Sequence, residues 1–171
     1  VITGKDNFIY LAAVKTLGLI MMTHDNQELQ LAFEFVQYTN TNVFLTGKAG
    51  TGKTTFLHNL RSITHKRMIV VAPTGVAAIN AGGVTIHSFF QLPFGPQIPV
   101  EYTVSGLQPE TTPQMEASKY QKFNREKINI IKSLDLLVID EISMVRADLL
   151  DAVDNVLRRY RDRQKPFGGV Q

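Results

Sequence analysis

At 171 residues the chain is long enough for one compact α/β domain and too short for two of ordinary size. Its 44% hydrophobic and 19% charged residues exclude wholesale disorder and a fibrous repeat. The lack of cysteine excludes a disulfide framework or a thiolate zinc site and fits a reducing compartment such as the cytoplasm; a net charge of +3 permits a polyanionic partner without requiring one.

Residues 8–22 are mostly apolar, but Lys15 interrupts them and they fall short of the roughly 20 residues that span a bilayer. They also lack the small-residue cleavage site of a signal peptide. Residues 1–24 are therefore read as a leader or an introduced segment, with Met21 or Met22 as the candidate native start and no membrane partner. Residues 25–171 form the expected domain.

In residues 25–38, Leu29, Ala32, Phe33 and Val36 recur at i, i+3, i+4 and i+7, and Asp25 with Glu28 has capping-box spacing, so an amphipathic helix is predicted. Residues 43–46 read as a short strand, opening into a glycine-rich turn and then a helix over 54–61. Residues 68–72 are a second strand, stopped by Pro73, and 134–139 a third. Alternating strand and helix predicts a parallel sheet covered by helices on both faces.

From 91 to 118 the pattern breaks down into a long loop holding Pro93, Pro96, Pro99, Pro109 and Pro113. A loop of that length is usually functional. Helical patterning resumes over 117–132, with Lys119, Lys122, Arg125, Lys127 and Lys132 as a basic face that either lines a nucleic-acid channel or is solvated. A further helix is predicted over 147–160, its acids leading and its arginines trailing as the helix dipole favours. Residues 166–171 look like a turn entering another strand.

The chemistry starts with Gly47, Lys48, Ala49, Gly50, Thr51, Gly52, Lys53 and Thr54, which fit G-x-x-x-x-G-K-[ST] between a predicted strand and helix. Its glycines let successive backbone N–H groups turn toward a phosphate at a helix N-terminus. Lys53 is expected to reach the β and γ phosphates of ATP and Thr54 to ligate Mg²⁺, with Thr55 adjoining the nucleotide. Such a loop serves kinases, GTPases, transport ATPases and motors alike.

The strand ending in Asp140-Glu141 narrows the choice. It delivers two carboxylates to the carboxyl end of a parallel sheet, where ligands bind. Asp140 suits the Mg²⁺ shell, and Glu141, pointing differently, suits the base for a water attacking the γ phosphate. Lys53, Asp140 and Glu141 are the expected catalytic set, and the reaction is hydrolysis.

The run from Ala72 through Pro73, Thr74, Gly75, Val76 and Ala77 to Thr85, Ile86, His87, Ser88, Phe89 and Phe90 closely resembles the first DNA-contacting motifs of Pif-type, RecD-like DNA helicases of superfamily one. Asp140 to Val145 and Pro166 to Gln171 resemble later motifs of that family, in the same order. The resemblance implies the first part of a RecA-like motor domain, truncated here, that uses Mg-ATP to move 5′ to 3′ on single-stranded DNA and to unwind duplex junctions in replication, recombination or repair. It implies DNA contacts by Thr74, Gly75 and Ala77 and by His87, Ser88 and Phe89, and an adenine contact by Gln30, for which Gln27 competes. A core role for His87 and Phe89 stays open beside it.

The family fires ATP across a cleft between two such domains, so the remaining helicase domains are expected partners, with arginine fingers and a sensor glutamine outside these residues. The 171-residue piece alone is accordingly expected to hydrolyse slowly. The expected location is the cytoplasm, at the bacterial nucleoid. Two rival readings remain at this level: another P-loop ATPase of clamp-loader or transport type, and a DNA-binding module that only senses nucleotide.

Overall fold

The computed structural model describes residues 27–97 and 123–171. The leader with Met21 and Met22, the Asp25 half of the capping box, residues 98–118 of the proline-rich loop, and Lys119 and Lys122 lie outside the described residues. The chain divides into two compact units, Val1–His65 and Lys66–Gln171.

In the first unit, helix α1 spans Gln27–Tyr38 and buries Ala32, Phe33 and Val36, three of the four positions that the sequence period selects. Helix α2 spans Lys53–Ile63 and buries Phe56, Leu57 and Leu60. The Thr64 hydroxyl, just past α2, donates to Gln37 Oε1 near the end of α1 at 3.2 Å. Residues 43–46, expected as a strand, form none. An apolar run becomes a strand only when neighbouring strands take its N–H and C=O groups, and Phe44 is 74% exposed.

The second unit is built on a three-stranded parallel sheet in the order β2-β1-β3, with β1 at Met68–Ala72, β2 at Val84–Thr85 and β3 at Leu136–Ile139. Met68 lies opposite Leu136 and Val71 opposite Ile139, while Ala72 lies opposite Thr85. The central strand is the most enclosed, with Val71 and Ala72 fully buried, as a run of β-branched and small residues between two parallel neighbours should be.

Short helices α3 (Gly75–Asn80) and α4 (Ile86–Phe90) follow β1 and β2. Between α3 and β2 the backbone must pass close to β1, because a Cβ at Gly83 would stand 2.2 Å from the Val70 carbonyl oxygen. Only glycine fits there.

Helix α5 (Arg125–Ser133) is capped by Asn124, whose side chain accepts the Lys127 N–H, and leads into β3. A 3₁₀ turn at Ile142–Met144 then leads to α6 (Ala147–Tyr160), which buries Leu149, Ala152, Val153, Val156 and Leu157. This stripe joins Val71, Ile86, Phe90 and Ile131 in one core.

The last residues form a second 3₁₀ turn, Pro166–Gly169, rather than a strand. Its Phe167 N–H donates to Asp154 on α6, and Gln171 alone pairs along β3, accepting from the Leu137 N–H at 2.7 Å and donating to the Asp135 carbonyl at 3.2 Å.

Candidate nucleotide and nucleic-acid site

The candidate residues divide between the units. In the first, Gly50 and Gly52 take positive φ of 79° and 84°, a backbone that side chains with a Cβ resist. Gly52 is also the N-cap of α2, and no side chain caps that end. The helix therefore begins with first-turn N–H groups open to an anion.

Within the loop, Thr51 is pinned by its hydroxyl to the Lys48 carbonyl at 2.9 Å. The Lys53 ammonium donates to the carbonyls of Gly47 at 2.7 Å and Lys48 at 2.8 Å, so its chain folds back along the loop. Thr54 and Thr55 occupy the exposed side of the first turn. Gln30 and Gln27 are both exposed on α1, and the Gln30 amide donates to Glu34 Oε1 at 3.2 Å.

In the second unit the parallel register does the assembling. β1 ends before Pro73-Thr74, β2 before Ile86-His87 and β3 before Asp140-Glu141, so Thr74, His87, Ser88, Asp140 and Glu141 all emerge at the carboxyl edge of one sheet. Asp140 is still held by the sheet, its N–H donating to Val71 O at 2.9 Å, and its Oδ1 accepts the Glu141 N–H at 3.0 Å. Glu141 takes a left-handed backbone at φ 52°. Such a backbone costs about 1 kcal/mol or more for a residue with a Cβ and clusters at functional sites.

Thr74 is the N-cap of α3, and its Oγ1 accepts the Ala77 N–H at 3.2 Å. The Thr74 hydroxyl proton and the exposed Gly75 remain as donors, whereas the Ala77 N–H is already used inside the cap. Thr85 plays the same part for α4, accepting from Ser88 N at 3.2 Å. Ser88 itself is exposed.

Phe89 does not stand where a base could stack on it. Its ring is 4% exposed, packs edge-on against Phe90 and has the Lys127 ammonium 3.9 Å above its face. Helix α4 is short, and the face that carries Ile86, Phe89 and Phe90 is the one that seals the core. Partial burial lowers the pKa of Lys127 from its ordinary value.

Sequence reasoning missed Phe94. It is 87% exposed, stacked on His87 with ring centroids 4.8 Å apart and planes 24° apart. The signal was present in its neighbours, Pro93 before it and Gly95-Pro96 after it, which make a turn tip. Also missed was the group that ties this turn down: Asp148, at the start of α6, accepts the Gln97 N–H at 2.7 Å and is gripped by Arg146. Those two partners, the guanidinium first, hold the Asp148 carboxyl far below its ordinary pKa.

A lysine-bearing glycine loop opening a helix, together with a strand-borne Asp-Glu pair on a parallel sheet, defines the class of P-loop nucleoside triphosphatases with a RecA-like fold. The chain belongs to the PIF1-like helicase family, whose model matches residues 22–171. It is 36% identical over 138 residues to the ATP-dependent DNA helicase PIF1 of Saccharomyces cerevisiae, covering 76% of this chain and 14% of that one. To human PIF1 it is 36% identical over 159 residues, covering 92% and 22%.

Among solved structures, Bacteroides Pif1 bound to single-stranded DNA superposes with a TM-score of 0.70 at 46% identity, covering 85% of this chain and 30% of that one. Candida albicans Pif1 gives 0.65 at 32% identity, covering 85% and 31%. The chain thus spans between a seventh and a third of the length of these relatives.

Proposed function

We propose that the protein carrying this chain is an ATP-driven motor on single-stranded DNA that separates duplexes, moves 5′ to 3′ and serves replication, recombination or repair. The observation that carries this reading is the shared sheet edge of the second unit. Thr74, His87 and Ser88 emerge there beside Asp140 and Glu141, so residues suited to a DNA strand and residues suited to hydrolysis are mounted on the ends of adjacent strands. The β1–β3 ladder holds two of these ends side by side, Val71 opposite Ile139.

The Thr54 hydroxyl and the Asp140 carboxylate are hard oxygen donors, suited to Mg²⁺, which takes few protein ligands and completes its shell with phosphate oxygens and water. When bound, the ion neutralises charge developing on the transferred phosphoryl group. Lys53 binds the same phosphates, Glu141 orients and deprotonates water, and Gln30 reads the adenine edge. Thr74 and Ser88 hold phosphates of the DNA without reading its sequence.

The experiment is Lys53→Ala in the full-length protein, assayed on forked duplexes with either a 5′ or a 3′ tail. The parent should hydrolyse ATP in response to single-stranded DNA and unwind the 5′-tailed fork, and the variant should do neither. Unwinding retained by the variant would refute the motor reading, and unwinding of the 3′-tailed fork alone would refute the polarity.

A further inference from the structure

Phe94 is exposed at the tip of its turn, and nothing in that turn depends on its ring. The 93–97 turn is closed by the Gln97 side chain, which donates to Pro93 O at 2.9 Å and to Gly95 O at 3.3 Å. It is anchored by the Gln97 N–H on Asp148. None of these bonds involves the Phe94 ring. Any residue at that tip would leave the turn closed, yet the tip carries the most exposed large apolar side chain among the described residues.

The ring is also oriented. It lies nearly parallel to the His87 imidazole at stacking distance, so the pair forms a two-ring layer with an outer face of Phe94 left to solvent. The layer stands on α4, directly beyond β2, at the sheet edge where Thr74 and Ser88 present hydroxyl groups. A flat π face next to phosphate donors fits one kind of ligand best, an unpaired nucleobase on its sugar-phosphate chain, since every base offers a π face whatever its identity.

We propose that Phe94, backed by His87, is a base-stacking platform for single-stranded DNA, held in place through Gln97 by Asp148. The platform supplies in the open the aromatic DNA contact that the family resemblance implied for Phe89, which is buried. Its anchor has a further consequence. Asp148 and Arg146 lie just beyond the 3₁₀ turn that follows Asp140-Glu141, so the platform is tied to the chain segment leaving the acidic pair.

The inference rests on the DNA reading above, and the test separates the two. In the full-length protein, Phe94→Ala, Phe94→Leu and Phe94→Trp are compared with the parent by fluorescence anisotropy, using labelled oligothymidylate and a chain of abasic sites of equal length. Phe94→Ala and Phe94→Leu should bind oligothymidylate roughly 5- to 100-fold more weakly than the parent, the range that base–aromatic stacking supports. Phe94→Trp should restore binding, and all four proteins should bind the abasic chain alike.

Leucine keeps the apolar bulk and lacks the ring face. Parent-like binding by Phe94→Leu would therefore overturn the platform and leave the exposed ring to a protein contact. An equal loss on the abasic chain would overturn it as well, since the defect would then not involve bases. If the parent binds neither probe, the DNA reading itself fails, and the platform with it.

Discussion

Arg67 and Asp135 clamp the second unit's sheet at its amino end. One residue before β1 and β3 begin, the Arg67 guanidinium donates to both Asp135 oxygens, Nε to Oδ2 at 2.7 Å and Nη2 to Oδ1 at 2.8 Å. The Arg67 N–H adds a third bond to Oδ2 at 3.0 Å, and the Asp135 N–H returns one to the Arg67 carbonyl at 3.0 Å. Side chain and backbone thus fix the same register, Met68 opposite Leu136. The β1 and β3 ends at the far edge inherit it.

The clamp predicts acid sensitivity. Hydrogen bonds from Arg67 pull the Asp135 carboxyl from 3.8 down to about 2. A carboxyl whose folded pKa is depressed stabilises the fold fully above its unfolded pKa and loses that contribution as pH falls through the folded one. Parent stability should therefore drop between about pH 4 and pH 2, and Asp135→Asn, less stable at neutral pH, should show a shallower decline. Urea melts across that window check this; identical slopes for the two proteins would count against the clamp.

Gly83→Ala should destabilise the protein by about 3 kcal/mol, the upper part of the range for forced overpacking. The obstacle is the Val70 backbone oxygen of the central strand, which cannot rotate aside as a side chain would. Equilibrium denaturation measures the loss. A change below about 0.5 kcal/mol, the range of unremarkable surface substitutions, would mean that the backbone between α3 and β2 passes β1 less closely than the structure has it.

Thr74 caps α3 with the same hydroxyl group that is proposed to meet a DNA phosphate. Thr74→Ala removes the α3 cap and should cost about 1 kcal/mol in stability, along with the hydroxyl offered to a DNA phosphate. Thr74→Ser keeps both the cap acceptor and the hydroxyl, so its melting curve and its affinity for oligothymidylate should match the parent. Weak binding by the serine variant would show that the methyl group, rather than the hydroxyl, matters at the DNA.

Glu141→Gln in the full-length protein should retain nucleotide binding while lowering turnover by about 10²- to 10⁴-fold, the usual contribution of a general base. The amide keeps the size of the side chain, and the left-handed backbone at Glu141 is closed by the Met144 N–H on the Glu141 carbonyl at 2.9 Å, which the substitution leaves alone. Parallel measurement of nucleotide affinity and steady-state turnover tests it. Undiminished turnover would move the base elsewhere.

Much of this was legible in the chain itself. The helix predicted over 147–160 appears at those residues, because its apolar period, leading acids and trailing arginines all agree. The Gly47 to Thr54 spacing marked the loop without any tertiary information. Residues 43–46 show the limit: their apolar run marks a segment able to enter a sheet, while strand formation depends on partners that no local pattern contains.

Phe89 and Phe94 divide what sequence and tertiary structure each decide. The sequence determined that aromatic rings lie close to the segment that resembles a DNA-contacting motif, that a glycine-bordered turn follows, and that Asp140-Glu141 follows a strand. Only the fold decided that Phe89 faces the core under Lys127 while Phe94 meets His87 in the open, and that β1, β2 and β3 end at a common edge. The reason is physical. Residue chemistry and local backbone preference are carried by neighbours in the chain, whereas burial and register come from groups far apart in sequence that compete for the same space and the same hydrogen bonds.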